Sequence, residues 1–330
     1  MSKVDLKKSG EPLRNSILLT MLLMTINESF SNCQNNICIP PAVYVHDFQP
    51  LDNNKRFTSL PYISGDTFRS LANHIIDELR MPLDPNAIED GDIIFLKTEL
   101  LDYFFTTIHP RIKHSYILIT HNSDFSSPGN YAHMLDEKKL IAWFAVNPDI
   151  TSHKKLVGIP IGIANKYCPT IGNIETIDSL IPSLSSIKKN FSLYLSKLAQ
   201  TNSERTQVEN LFAKKSFCYK SPKKAWPEYL KDMARSKFVV SPHGNGLDCH
   251  RTWEALLMGS FPIVKTSTLD PLYTDLPVVI VSDWLEVTEE FLQKKYIELS
   301  QKKFRTEKMY ATYWMNLIKN CQNNFLKKSK

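Results

Sequence analysis

The side chains best suited to chemistry gather in one segment, Ser241-Pro-His-Gly-Asn-Gly-Leu-Asp-Cys-His-Arg-Thr-Trp-Glu254, with Lys265 a little beyond it. Arg251 can neutralise a diphosphate through paired N–H bonds, and Glu254 can accept hydrogen bonds from ribose or sugar hydroxyls. On a helix, Glu254 lies three residues after Arg251 and four after His250, so the three share one side. The same spacing also fits an ordinary Arg–Glu helix pair, worth roughly a few tenths of a kcal/mol. Ser241, His243, Gly244, Asn245, Gly246, Asp248, His250, Arg251, Glu254 and Lys265 form the candidate binding set for a phosphate-bearing ligand. His243, Cys249 and His250 are metal-ligand types, but they lack paired Cys-x-x-Cys or His-x-x-x-His spacing, so no metal is expected.

The surrounding residues predict how this set is held. Lys237-Phe-Val-Val240 is a short β-branched run, suited to a parallel strand covered on both faces. Pro242, Gly244 and Gly246 supply a bend with room for close backbone approach, and Asp248 is the expected cap of a helix. Gly259 suits the position just past that helix, and Phe261-Pro-Ile-Val264 resumes an extended pattern. A helix that starts after a glycine loop offers unpaired N–H groups and a positive dipole end, which favour phosphate. Trp253 reads as a core anchor of this helix.

The segment resembles the C-terminal half of exostosin-type glycosyltransferases, family 47. It matches their pattern at Ser241, Pro242, Gly244, Gly246, Asp248, Arg251, Trp253 to Leu256, Gly259 and Pro262 to Val264. The likeness extends upstream through Ile63-Ser-Gly-Asp66, Ile119-Thr-His-Asn-Ser-Asp124, Ile141-Ala-Trp-Phe144 and Ile159-Pro-Ile-Gly-Ile-Ala-Asn165, covering most of residues 60 to 290. It implies a GT-B architecture: an α/β fold of two doubly wound, Rossmann-like domains facing a central cleft. It also implies a nucleotide-sugar donor held by the C-terminal domain, a glycan or other hydroxyl acceptor, inverting transfer without a metal, and no cofactor beyond that donor substrate. A protein that kept the fold and only binds a carbohydrate or nucleotide is the alternative; a phosphorylase on the same scaffold would instead require phosphate.

Strand patterns at Ala42–His46, Asp92–Leu96, Tyr116–Thr120 and Leu156–Ile159 alternate with helical gaps, as in a parallel sheet. Phe68, Leu71, Ala72, Ile75, Ile76 and Leu79 predict one amphipathic helix starting at Asp66 or Thr67. In open α/β sheets ligands bind beyond the carboxyl ends of strands, which singles out His121-Asn-Ser-Asp124. Asp124 and His121 are the candidate general bases, although the same four residues also suit a plain turn. The organisation expected is a leader over 1–32, an acceptor-side domain over 33–185, a nucleotide-sugar domain over 186–290 and C-terminal helices over 291–330. Thr170 to Asn190 is the expected linker. Tyr310, Tyr313, Trp314, Leu317, Ile318 and Cys321 line one face of a last helix, which either returns to the first domain or packs within the second.

With 330 residues the chain can build two cores, and 42% hydrophobic with 22% charged residues is globular usage. The net charge of +6 is modest, and its lysines cluster near the C-terminus without a nucleic-acid motif, so no nucleic-acid partner is expected. Lysines and Arg14 precede the apolar run Ile17–Met24, in the order of a signal peptide, yet that run is too short for a convincing membrane span. Asp5 and Glu11 argue equally for a plain polar leader, so cytoplasmic and exported locations both stay open. Six cysteines are even in number, and Cys33 and Cys38 could close a small loop in an exported chain.

Overall fold

The computed structural model describes residues 56–79, 83–168 and 170–328. The leader and the strand expected at Ala42–His46, like Cys33 and Cys38, lie outside the described residues.

In the first lobe, α1 (Gly65–Arg69) precedes five strands: β1 (His74–Ile76), β2 (Asp92–Lys97), β3 (Tyr116–His121), β4 (Leu140–Ala145) and β5 (Leu156–Gly158). They pair in parallel, in the order β1-β2-β3-β4-β5. Alternation along the strands sends Ile93, Phe95, Ile117, Ile119 and Phe144 to one buried face and Ile94, Leu96, Leu118 and Trp143 to the other.

The connecting segment is helical: α2 (Ile174–Leu180) is capped by Asn173, whose side chain accepts from the Thr176 N–H, and it buries Ile174, Ile177 and Leu180. The second lobe then runs β6 (Phe191–Leu195), α3 (Ser203–Phe212), β7 (Cys218–Lys220), α4 (Trp226–Ala234), β8 (Ser236–Val240), α5 (His250–Leu257), β9 (Phe261–Lys265) and β10 (Val279–Val281). These strands are also parallel, but their order is β10-β9-β8-β6-β7. The chain moves outward from β6 to β7 and then returns to the other side of β6, so the order reverses between β6 and β8.

α6 (Glu289–Ser300) and α7 (Ala311–Lys328) complete the chain. α7 returns to the first lobe, where it packs on β4, the Ala311 N–H bonds the Pro61 carbonyl at 3.0 Å and Gln322 bonds the Gly91 carbonyl at 2.8 Å. One hydrophobic cluster therefore runs through both lobes, from Ile119 and Phe144 to Val239, Trp253, Trp314 and Ile318. Two Rossmann-like lobes facing a cleft is the GT-B arrangement expected.

Two local expectations need correcting. The stripe from Phe68 to Leu79 is not one helix: α1 ends at Arg69, and His74–Ile76 pairs in register with Ile94–Leu96. A short run with two adjacent β-branched residues fits either period, and strand pairing decides it. The start also differs from the Asp66 or Thr67 expected: α1 begins at Gly65 and is capped by Ser64, which accepts from the Thr67 N–H at 3.2 Å, while Asp66 pairs with Arg56 at 2.8 Å.

Candidate active site

A cavity of about 1010 Å³ opens at the carboxyl ends of β6, β7 and β8, at the point where the strand order reverses. Crevices form there because neighbouring connections leave the sheet in opposite directions. Its lining comes from the starts of three helices: Ala199, Thr201 and Arg205 before and in α3, Lys223 to Pro227 and Tyr229 around the start of α4, and Gly244 to Gly246, Asp248 to Arg251 and Glu254 before and in α5. Asp124 and Ile161 enter from the first lobe.

Of the residues singled out in the sequence, Asp124, Gly244, Asn245, Gly246, Asp248, His250, Arg251 and Glu254 line this one cavity. Arg251 donates from Nε to Ser196 Oγ at the end of β6, at 3.2 Å, which turns its guanidinium toward the reversal point. Glu254 is buried and accepts from Trp226 Nε1 at 2.8 Å and Tyr229 O–H at 3.0 Å. Each carboxylate oxygen has a second lone pair, so Glu254 can still accept from a ligand hydroxyl. The N–H groups of His250 and Arg251, at the start of α5, have no acceptor within the helix and lie at its positive dipole end, whereas the Thr252 N–H bonds the Cys249 carbonyl at 3.0 Å.

The glycine loop itself is not an open nest of N–H groups. Gly244 N–H bonds the Gly246 carbonyl at 3.0 Å, and Asp248 N–H bonds Asn147 Oδ1 at 2.8 Å. A Cβ on Gly246 would lie 2.6 Å from Asn147 Nδ2 and 3.2 Å from the Asp124 carbonyl, so this glycine permits contact between lobes. Anion donors must come from the helix starts and from side chains.

Asp248 is not the cap of α5. Cys249 occupies that position without a side-chain bond, and Asp248 is buried as a knot between the lobes. Its carboxylate accepts from Ile161 N–H at 2.8 Å, Trp253 Nε1 at 2.8 Å, Cys249 N–H at 2.9 Å and Tyr273 O–H at 3.2 Å. Burial raises its pKa above the usual carboxylate value, although these donors pull the other way.

His121 lies beneath the cleft, not in it. The ring is buried against Phe68, Nε2 donates to the Pro160 carbonyl at 3.1 Å, and Nδ1 accepts from the Asn122 N–H at 2.7 Å. Burial lowers its pKa to about 4. Both nitrogens are used, so this ring has no lone pair to offer a substrate. Asp124 is exposed at the rim, where its Oδ2 accepts from Asn245 Nδ2 of the opposite lobe at 3.2 Å.

Ser241, His243 and Lys265 do not line the cavity. Ser241 Oγ shares a hydrogen bond with Thr252 Oγ1 at 2.8 Å and ties β8 to α5. His243 Nε2 lies 2.5 Å from Glu204 and Lys265 Nζ 3.6 Å from the same carboxylate, on the outer side of the loop. Lys265 sits at the end of β9, one strand beyond the reversal, which carries it away from the cavity.

Sequence reasoning missed Arg205, Lys223, Lys224 and Tyr229. Arg205 straps the loop by donating to the carbonyls of His243 at 2.7 Å and Ala199 at 3.1 Å. Lys224 pairs with Asp232 at 2.5 Å, and Lys223 stands exposed at the mouth. The signal was present in Lys223-Lys-Ala-Trp-Pro227, which places two cations just before a helix start.

Residues 183–328 match the family model of the RXYLT1 C-terminal domain. That model describes an exostosin-family glycosyltransferase domain, so the second lobe and the C-terminal helices are similar to such a domain. No curated protein matches the chain at a significant level. Among solved structures, the chain is similar to the pneumococcal O-GlcNAc transferase GtfA in complex with UDP and GlcNAc, at 12% identity and a TM-score of 0.30, covering 73% of this chain and 56% of that one. It is similar to the GtfA/B complex at 11% identity and a TM-score of 0.33, covering 72% and 58%. The catalytic domain of starch synthase IV from Arabidopsis thaliana bound to ADP and acarbose follows at 12% and 0.31, covering 70% and 73%. The chain thus spans under three fifths of the two GtfA structures. No helix among the described residues is long and apolar enough to cross a membrane.

Proposed function

We propose that this protein transfers a hexosyl or pentosyl group from a nucleotide sugar to a hydroxyl of a glycan or other acceptor, with inversion and without a metal. One observation carries the reading: the starts of α3, α4 and α5 converge with Arg251 and Lys223 on a single cavity at the strand reversal. Three positive dipole ends and two cations suit the charge that grows on a leaving diphosphate, and fixed dipoles of this kind supply much of the rate in such reactions. Arg251 would hold the diphosphate, and Glu254, held by Trp226 and Tyr229, would accept from donor hydroxyls. Asp124, on the facing lobe, would meet the acceptor once it parts from Asn245. The family match over residues 183–328 supports the donor half of this reading.

A thermal-shift series with UDP, ADP and their hexose and pentose conjugates tests it, because a ligand that binds only the folded state raises Tm. The expected result is a rise with at least one nucleotide, followed by release of that nucleotide from its sugar conjugate. No rise with any of them would overturn the reading. Binding without turnover would leave a nucleotide-binding protein on the same fold.

A further inference from the structure

The ring of His250 stands between the lobes and has one nitrogen committed. Its Nδ1 lies 2.7 Å from the Gly162 carbonyl of the first lobe. A carbonyl can only accept, so Nδ1 carries a proton, and in the neutral ring Nε2 is the nitrogen with the lone pair. Nε2 has no hydrogen-bond partner among the described residues, and the residue lines the cavity. His121, beneath the cleft, has both nitrogens occupied, and His243 lies on the outer side of the loop beside Glu204.

His250 and Arg251 are adjacent on α5, and successive helical side chains diverge by about 100°. Arg251 turns to Ser196 in the second lobe, whereas His250 turns to Gly162 in the first. An inverting transfer needs this division, with the leaving diphosphate on one side of the sugar and the base on the other. The carbonyl that holds the ring is itself fixed: Gly162 has a φ of +68°, and a Cβ there would lie 2.2 Å from the Ile63 carbonyl oxygen.

Resting on the glycosyltransferase reading above, we propose that His250 is the general base for the acceptor hydroxyl. As the hydroxyl oxygen bonds to the anomeric carbon, Nε2 takes its proton. The bond from that carbon to the diphosphate oxygen breaks, and its electron pair leaves on the diphosphate beside Arg251. The imidazolium then returns its proton to water. Asp124 receives and orients the acceptor at the rim, without taking the proton.

His250→Asn tests this, because the Asn amide can still donate to the Gly162 carbonyl while the Nε2 lone pair is gone. The readouts are UDP and ADP affinity and the rate of nucleotide release from UDP- and ADP-linked sugars, with methyl glycosides as acceptors. The expected outcome is a loss of turnover of about 100-fold or more with nucleotide affinity within about threefold of wild type, the usual scale for a removed general base. Added imidazole should restore part of the turnover of His250→Ala. Turnover in His250→Asn within about threefold of wild type would overturn the proposal, as would Asp124→Asn losing more turnover than His250→Asn. Nucleotide affinity falling as far as turnover would also overturn it, placing His250 on the diphosphate instead. A wild-type protein that binds UDP or ADP but releases none from any conjugate would sink the transferase reading, and the base with it.

Discussion

The carboxyl ends of the two sheets differ in what fills them. In the first lobe the space is occupied by the protein's own polar groups. Arg56 pairs with Asp66, Asp66 accepts from Asn122, Asn122 accepts from Asn165, and Arg69 binds Asp77 at 2.6 Å. In the second lobe the corresponding space is the cavity, lined by helix starts and cations. The strand orders account for the difference. Among the described strands the first sheet runs in chain order, whereas the second reverses between β6 and β8 and so parts its connections. The lesson is that topology decides whether a lobe opens a cavity at its strand ends, and a lobe without a reversal can close over its own strand ends.

Removing a cation from the cavity should break this contrast most severely. Arg251→Ala is expected to lower kcat/KM for a nucleotide sugar by about 100-fold, the cost of deleting one charge-stabilising donor. Tm should fall by only a few degrees, because Glu254 keeps Trp226 and Tyr229 as donors. A mutant that unfolds but turns over normally when folded would show that Arg251 belongs to the core. Arg251→Lys, which keeps charge but loses the planar fork, should fall between the two.

Asp66 tests the opposite pole. Asp66→Ala removes one of the partners of Arg56, which keeps Glu78 and Asp77, so the expected cost is about 1–3 kcal/mol in urea unfolding. UDP affinity should stay within about twofold. A large loss of affinity at unchanged stability would mean that the network of the first lobe is part of the ligand site after all.

The contrast was only partly legible in the sequence. β8, α5 and β9 could be read because Pro242, Gly246 and Gly259 punctuate short β-branched runs, and punctuation is local. The role of Asp248 was not local. Its partner Ile161 is 87 residues away, so the carboxylate looked like a helix cap until the lobes were brought together. β1 failed for another reason: three residues hold too little pattern to separate a strand from a helix turn. Arg205 lies on, and Lys223 just before, helices that the sequence does reveal, but their meeting point depends on strand order, which hydrophobic patterns do not encode.

Gly162 sharpens the comparison where the lobes touch. Any side chain there meets the Ile63 carbonyl and must adopt a left-handed φ, so Gly162→Ala should cost about 1–3 kcal/mol. The displaced carbonyl also loosens His250. A stability loss in urea unfolding should therefore come with slower nucleotide release, whereas a loss of stability alone would detach the two effects.

The smallest expected effect concerns His121, which joins the closed strand ends of the first lobe instead of the chemistry. Its folded-state pKa of about 4 lies below the ordinary 6.5, so between those values the unfolded chain binds more protons than the native one. The stability that the neutral ring contributes is complete above about pH 6.5 and is lost as the pH falls toward 4. His121→Phe keeps the contact with Phe68 and cannot titrate. The stability difference between wild type and this variant should therefore shift by about 2 kcal/mol against wild type from pH 7 to pH 4.5 in urea unfolding. A difference that stayed constant across that range would mean that water reaches the ring, and with it that the strand ends of the first lobe are open like those of the second.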